Sequence, residues 1–471
     1  MTVPTTPKAS PDPADHEPGP TGLRADLITA SVAVLLFATA AVVGVAVNTD
    51  GRLFLHWPPL YAWWDPHLGP GTPMALVVAG VTVLHGPSLA QRLSWGRLLG
   101  VSVAGSLAWM FSLAMIDGWQ RGIAGRLEAR HEYLAAVDRT EDVGHFLRTY
   151  TDHILLTSPD NWPVHVAGHP PAALLTFSGL DRIGLGGGAW AAMFVLVTAA
   201  TAAAAVLVTV RTLAGEDLAR RAAPFMVLVP AAVWMGVSAD AWFAAVAAWA
   251  IALLALSATG RTRWPRAAAL GSGLLFGLLL YLSYGLVLMG LLGLTVLLAA
   301  RTWRPLPWLV LGVLAWVAVF TAAGFWWFDG YFLLVERYYQ GAARLRPYEY
   351  FVWANLATQV VTAGTATVVG LRRAAVALPD TAREGVRSLW RERRPVSGRT
   401  ALILLVSAAV LIMLLASLSG MGKAETERIW LPFVLWAVPA TALLPRGWHR
   451  GWLAAQAAVA LTVNHLLFTG W

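Results

Sequence analysis

The chain has no cysteine in its 471 residues, which excludes disulfides, thiolate metal sites and thiol nucleophiles. Charge is also scarce. Only 13% of residues are charged, against roughly 25% in a soluble domain, while 57% are hydrophobic. A phosphate-cradling glycine loop is missing as well, because Gly186-Gly187-Gly188 has neither the lysine nor the strand context such a loop needs. No internal repeat is visible. What remains is a succession of apolar runs of about 20 residues from Leu27 to the C-terminus, each long enough to cross a bilayer as a helix. Lipid offers free backbone groups no partner, so spans of this length are helices rather than open sheet. The expected fold class is an all-α polytopic membrane protein with about 13 transmembrane helices and outer juxtamembrane helices. Many of the 24 tryptophans lie beside the ends of apolar runs, where an amphipathic ring suits the interface.

The net charge of +8 is no sign of nucleic acid, because the arginines cluster in short loops between spans. Residues 1 to 22 hold six prolines and almost no large apolar side chains, and read as a disordered cytoplasmic tail. Ala38-Thr39-Ala40 resembles a signal-peptidase site, but the apolar run continues past it and further spans follow, so cleavage is not expected. The rest, residues 23 to 471, reads as one transmembrane domain. Its spans are expected at 27–47, 73–90, 98–116, 188–210, 222–237, 240–258, 267–282, 285–300, 307–327, 351–370, 399–418, 430–444 and 452–469. With the N-terminus cytoplasmic, every inner loop is basic, including the long 371–399 segment, and the opposite orientation would place all of them outside. That orientation requires the short apolar stretch Pro170 to Ile183 to stay on the outer side as a juxtamembrane or re-entrant helix.

Three outer loops carry most of the remaining polar chemistry. The 117–170 loop is about 50 residues long and reads as amphipathic helical pieces at Ile123–Val137 and Asp142–Leu156. A structureless loop of that length would be unusual, which points to function. A second loop, Asp329 to Tyr350, includes Arg337, Arg344 and Arg346. The third, Gly420 to Trp430, sets Lys423, Glu425, Glu427 and Arg428 directly against a span. Charges without a spacer there usually face a bundle interior or a water-filled cavity rather than snorkel. Asp117 follows a span immediately, so its carboxylate sits at the boundary with water and is a candidate general base; the alternative is a helix-ending Asp-Gly turn. Asp65, within Trp63-Trp64-Asp65-Pro66-His67, is its rival. His165 and His169 have zinc-like spacing, but Pro163, Gly168 and Pro170 oppose a helix there and no glutamate completes a metalloprotease pattern. A rigid Pro170-Pro171 lead into a membrane helix, with His169 at its mouth to meet a phosphate or sugar hydroxyl, is the better account.

At His169-Pro170-Pro171-Ala172-Ala173-Leu174-Leu175 the sequence resembles the GT-C superfamily of membrane glycosyltransferases, in the branch of protein O-mannosyltransferases and the aminoarabinose transferase for lipid A. Members commonly carry a His-Pro-Pro-Leu-like motif after a large first outer loop and an acid just beyond the preceding span, the place of Asp117 here, with Glu132-Tyr133 further into the loop. Pro230 to Asp240 and Leu282-Ser283-Tyr284-Gly285 match more weakly, and Glu425 to Trp430 is similar to motifs in actinobacterial proteins of this kind. The likeness spans roughly residues 98 to 300. It departs in three respects: two extra spans come first, a tandem Asp-Glu after Asp117 is absent, and no large soluble domain follows the bundle.

The resemblance implies an inverting transferase of the cell envelope. It would move a sugar from a polyprenyl-phosphate donor to an acceptor hydroxyl on a lipid or glycan, at the outer face of the plasma membrane among membrane lipids. Asp117, or Asp65, would be the base, and Lys423, Arg428, His169 and Arg337 would hold the donor phosphate. His165, Glu132, Tyr133, Glu425, Glu427, Asp240 and Tyr284 would line the substrates. No cofactor is implied, no residue is assigned to a metal, and a divalent ion is left open. The rival reading is a lipid or small-molecule transporter or flippase, against which stand the missing repeat and the collection of charge at the outer edge.

Overall fold

The computed structural model describes residues 20–470, so the tail expected over residues 1 to 22 lies, up to residue 19, outside the described residues. The chain is an all-α multi-pass membrane protein. Among the described residues seven helices are long and apolar enough to cross a bilayer, or nine when two sharply bent pairs each count as one span. Shorter apolar segments complete the bundle at Tyr284–Ala299 and Leu431–Leu443.

Helix α1 (Pro20–Val47) has no polar face, and its Val32, Leu35 and Val42 point outward, as lipid permits. The short strand β1 (Ala62–Trp64) precedes α2 (Thr72–Arg92), and α3 (Trp95–Ala114) runs back to Asp117-Gly118. There Gly118 takes φ +83°, which ends the helix at little cost. The 117–170 segment then stays at one end of the bundle. It contains a π-helical turn (Gln120–Ala124), a 3-10 helix (Tyr133–Thr140), α4 (Val143–Thr149) capped by Asp142, and the single turn α5 (Val164–Ala167). The two amphipathic helices expected here are therefore broken into short pieces. Gly122 lies so close to the Ala114 carbonyl that a Cβ would collide with it, which fixes the segment against α3. Helix α6 (Ala172–Arg182) has 11 residues, about 16 Å, and cannot cross, in keeping with the side-keeping role expected of Pro170–Ile183.

Helices α7 (Gly188–Ala214), α10 (Ala239–Ala258) and α11 (Pro265–Leu282) form the centre. Runs such as Ala199 to Ala205 let backbones approach closely, the usual means of helix association in lipid. Between them the expected 222–237 span is interrupted: α8 (Glu216–Val227) stops, residues 228–231 are irregular at Pro230, and α9 (Ala232–Met235) is one turn. Every residue from Ala222 to Ala241 is buried, so protein covers the broken backbone. Helix α12 (Met289–Ala299) follows a 3-10 turn, and α13 (Leu306–Ala322) crosses α11 where Gly312 meets Gly273, leaving no room for a Cβ on either. Helix α14 (Trp327–Gln340) bends away from α13 by 77°. Helices α15 (Tyr348–Ala363) and α16 (Thr365–Val386) meet at 112° around Gly364, with φ +83°. After α17 (Gly398–Leu418) come the single turns α18 (Thr426–Ile429) and α19 (Leu431–Val434) and a 3-10 helix (Val438–Leu443), so the expected 430–444 span is also broken, at Pro432 and Pro439. Helix α20 (His449–Leu466) leads into β2 (Leu467–Thr469), which pairs antiparallel with β1, Trp63 opposite Phe468.

The loops sort onto two ends. At the basic end, Arg220 donates to the carbonyls of Ala90 and Leu93, Arg261 to that of Arg211, and Arg301 to that of Leu389. Arg372 and Arg373 close on buried Asp26, and Arg446 on Asp217. The 371–399 segment belongs to this end, where α16 extends it as helix before a π-helical turn (Arg387–Arg391). The other end collects residues 48–71, 115–187, 324–347 and 419–430.

Candidate functional site

At that second end, charged side chains are buried in a continuous belt. Helix α10 presents Asp240 in its first turn, and α18 presents Arg428. Arg428 Nη1 donates to Asp240 Oδ2 at 2.8 Å, with only 3% and 5% of the two side chains exposed. Arg428 Nη2 lies 3.4 Å from His165 Nε2 and 3.7 Å from Glu425 Oε2. On the far side of the imidazole, His165 Nδ1 meets Glu132 Oε1 at 3.0 Å. His131 lies edge-on to the His165 ring, and its carbonyl accepts from the His165 amide.

These contacts set the charge states. Burial disfavours an ionised Glu132, yet the His165 ring and Arg428 outweigh it and hold the carboxyl below the usual range. Burial likewise opposes the charge on Arg428, but Asp240, Glu132 and Glu425 raise its pKa. For Glu427 burial wins and pushes the pKa up to about 7, one oxygen accepting the Tyr61 amide at 2.8 Å while Oε2 has no hydrogen-bond partner among the described residues.

The turn that carries these residues is held in an uncommon conformation. Ala424 and Glu425 both have positive φ, +72° and +63°. Arg346 clamps the turn through the Lys423 carbonyl at 2.7 Å and Glu425 Oε1 at 3.3 Å, while reaching the Leu53 carbonyl with Nε. Asn355 and Gln359 of α15 donate to the Gly422 and Thr426 carbonyls. Lys423 itself donates from Nζ to the Ala343 carbonyl and lies over the Tyr339 ring.

A second cluster surrounds Asp117, whose side chain is 5% exposed. Its backbone does form the helix-ending turn, with the Gly118 amide bonded to the Met115 carbonyl. The carboxylate meanwhile faces an imidazole and two guanidinium groups: His67 Nε2 at 3.3 Å, Arg121 Nε at 3.4 Å and Arg126 Nη2 at 3.3 Å. Burial is the largest influence and raises the Asp117 pKa. His67 Nδ1 lies 2.6 Å from the Asp65 carbonyl and must carry the hydrogen there, so its Nε2 is an acceptor unless protonated. Among the described residues neither His67 Nε2 nor Asp117 Oδ1 has a hydrogen-bond partner. Asp65 is half exposed and paired with Arg121. Arg126, its pKa lowered by burial to about 10, feels Glu132 as well as Asp117 and so joins the two clusters.

The remaining candidates fall around this belt. His169 is half-buried, with Nδ1 2.7 Å from the His165 carbonyl, and desolvation lowers its pKa to about 4. A neutral ring whose Nδ1 carries the hydrogen leaves Nε2 as an acceptor, so His169 is not disposed to donate to a phosphate. Tyr133 stacks on Phe177 beside His169, with its hydroxyl unpartnered among the described residues. Tyr284 lies outside the charged belt, packed on Trp327 and Tyr331. Arg428 has both terminal nitrogens engaged inside the protein and is not arranged to clamp a phosphate with them. Arg337 lines a cleft with Arg130, Arg139 and Trp162.

His67, Arg121, Arg126, His131 and Arg346 carry no role in the sequence reading, though His67 and Arg346 fall in loops it marked. Their only local signal is a basic or imidazole group in a loop, which reads equally well as solvated charge. Among the described residues no group of three or more His, Asp or Glu side chains is arranged to hold a metal ion. The acids here face arginine and histidine instead.

Beside the belt runs an apolar groove of about 320 Å³ between α1, α15, α16 and α20, lined by residues including Phe37, Trp57, Leu60, Val361, Ala458 and Val463. Leu60 precedes Tyr61, whose amide binds Glu427, and Leu467 of β2 lies two residues before Thr469, whose carbonyl accepts from Arg126. The groove therefore abuts both charged clusters.

No family model matches the chain, and no curated protein matches it. Structural similarity reaches crystal structures of the oligosaccharyltransferase of Archaeoglobus fulgidus. For the apo form identity is 14%, covering 79% of this chain and 51% of that one at a TM-score of 0.44. The form tethered with an acceptor peptide containing the NVT sequon gives 13%, 80%, 50% and 0.42. The complex with Zn and sulfate gives 15%, 78%, 51% and 0.41. The chain spans about half the length of the protein in those structures.

Proposed function

We propose that this chain is a GT-C-like membrane glycosyltransferase that moves a sugar from a polyprenyl-phosphate donor to an acceptor hydroxyl. The observation that carries the reading is the apolar groove abutting a buried belt of alternating acids and cations at one end of the bundle. A lipid-linked donor needs that combination: a dry channel for its tail and a polar chamber for its head. The gathering of arginine loops at the opposite end favours a cytoplasmic N-terminus and a chamber on the outer face of the plasma membrane.

In this reading Asp117 is the general base. A buried carboxylate with a raised pKa holds a proton more firmly than an exposed one, which suits removal of a hydroxyl proton near neutral pH. The acceptor oxygen loses its proton to Asp117 and bonds to the anomeric carbon. The bond from that carbon to the phosphate oxygen breaks, and the lipid phosphate leaves with the electron pair, inverting the centre. His67 shares the abstracted proton. Lys423, held through one carbonyl and a ring, and Arg121, 44% exposed, are the cations with capacity left for the leaving phosphate. Arg428 and Arg346 act as positioning residues that keep the 423–427 turn in place.

The test is whether the purified chain in sealed lipid vesicles releases polyprenyl phosphate from its sugar conjugate when an acceptor is supplied. Stoichiometric release with sugar appearing on the acceptor is expected. Movement of labelled donor lipid between leaflets with no release would overturn the reading in favour of a flippase.

A further inference from the structure

An open cleft of about 740 Å³ is walled by the 130–139 and 153–164 segments and by α14. Its lining includes three arginines, Arg130, Arg139 and Arg337, and two histidines, His131 and His153, against one acid, Asp160. Arg139 lies flat over Trp162, its guanidinium carbon 3.5 Å from the ring centre, which fixes the side chain without neutralising it. Arg337 is more unusual. It is only 9% exposed, and its Nη1 has no hydrogen-bond partner among the described residues. Burying a guanidinium nitrogen without an acceptor is costly unless a ligand supplies one. The neighbouring Tyr338 points the other way, its hydroxyl accepting the Lys423 amide at 2.9 Å, so α14 carries two adjacent side chains into two different sites.

We infer that this cleft binds the anionic group, a phosphate or carboxylate, of a water-soluble glycan acceptor, with Arg337 as its principal cation. The groove lies beside Tyr61 and Glu427, whereas the cleft lies beside His131, which the Glu132–His165–Arg428 relay joins to the same turn. The two linings share no residue, so a donor whose tail fills the groove leaves the cleft open to an acceptor. The acceptor role rests on the glycosyltransferase reading; the anion site rests on the cleft itself.

The experiment titrates a hexose 6-phosphate, the parent hexose and inorganic phosphate onto the purified full chain, with binding followed by isothermal titration calorimetry. The phosphohexose is expected to bind more tightly than either of the others, and less tightly as salt rises. Arg337→Gln should weaken it roughly 10- to 100-fold, the loss of one charge-assisted hydrogen-bonding group. Arg337→Lys should recover part of that loss, and Arg139→Gln on the cleft surface should weaken binding independently of core packing. Equal binding of hexose and phosphohexose, or binding unchanged in both Arg337→Gln and Arg139→Gln, would overturn the site. Displacement of the phosphohexose by polyprenyl phosphate would assign the cleft to the donor and overturn the acceptor role. Phosphohexose binding that Arg337→Gln weakens supports the anion site whether or not sugar transfer is seen. Failed transfer with intact binding counts against the transferase reading instead.

Discussion

Arg428 is the residue whose removal should cost the most, and the reason can be worked from its surroundings. It is 3% exposed and faces three acids, at 2.8 Å (Asp240), at 3.7 Å (Glu425) and, through His165, Glu132. Truncating one member of a buried pair typically costs about 3–5 kcal/mol, because the other charge is left without compensation. Asp240→Asn leaves Arg428 with Glu425 and a neutral hydrogen-bond acceptor, so its cost should lie near the lower end, about 3 kcal/mol. Arg428→Met strands Asp240 entirely, since Glu425 retains Arg346 and Glu132 retains His165, and should reach about 5 kcal/mol. The double variant Asp240→Asn/Arg428→Met removes both charges and should cost less than Arg428→Met alone. Denaturant or thermal unfolding of the four proteins in one detergent, treated as a double-mutant cycle, measures the coupling. Losses in the double variant that equal the sum of the single losses, or an Arg428→Met protein within about 0.5 kcal/mol of the parent, would refute the buried-network argument.

Glu427, with a pKa raised by burial to about 7 from an ordinary 4.5, is favoured in the folded state as the neutral acid. The fold is therefore most favoured with respect to this group below pH about 4.5, and that advantage drains away as pH rises to about 7. Glu427→Gln should be more stable than the parent above pH about 7, by about 3 kcal/mol, with the difference vanishing near pH 4.5; unfolding across that range checks it. Gly364→Ala should destabilise by at least about 1–2 kcal/mol, because the residue sits at φ +83° and a Cβ would strike Gln456, which ties α20 to Ala363 and Ala366. Ala458→Trp should fill the apolar groove and raise KM for a polyprenyl donor roughly tenfold with kcat little changed, as a loss of uniform binding would.

Hydropathy placed these long spans to within four residues at each end: 188–210 against Gly188–Ala214, 240–258 against Ala239–Ala258, 399–418 against Gly398–Leu418. It failed to separate a helix from buried irregular backbone. Residues 222–237 and 430–444 are equally apolar, but Pro230, Pro432 and Pro439 interrupt them where surrounding helices shield the freed carbonyls. The candidate site was legible as a set of unusual residues but not as a set of contacts. Asp240 and Arg428 are 188 residues apart, and His165 and Arg428 are 263 apart, so no spacing could pair them. His169 shows the converse. Its position before two prolines drew attention, while the contact that matters, to the His165 carbonyl, depends on the closing of a four-residue turn.

The central claim is that Asp117 is the base of a lipid-linked sugar transfer. Its most direct test is the transfer rate of Asp117→Asn against the parent at saturating polyprenyl-phosphate sugar. The account predicts a fall of roughly 10²- to 10⁴-fold in kcat with donor binding retained, and loss of the acid limb of the parent's pH profile. Transfer at the parent's rate in both Asp117→Asn and Asp65→Asn would contradict it.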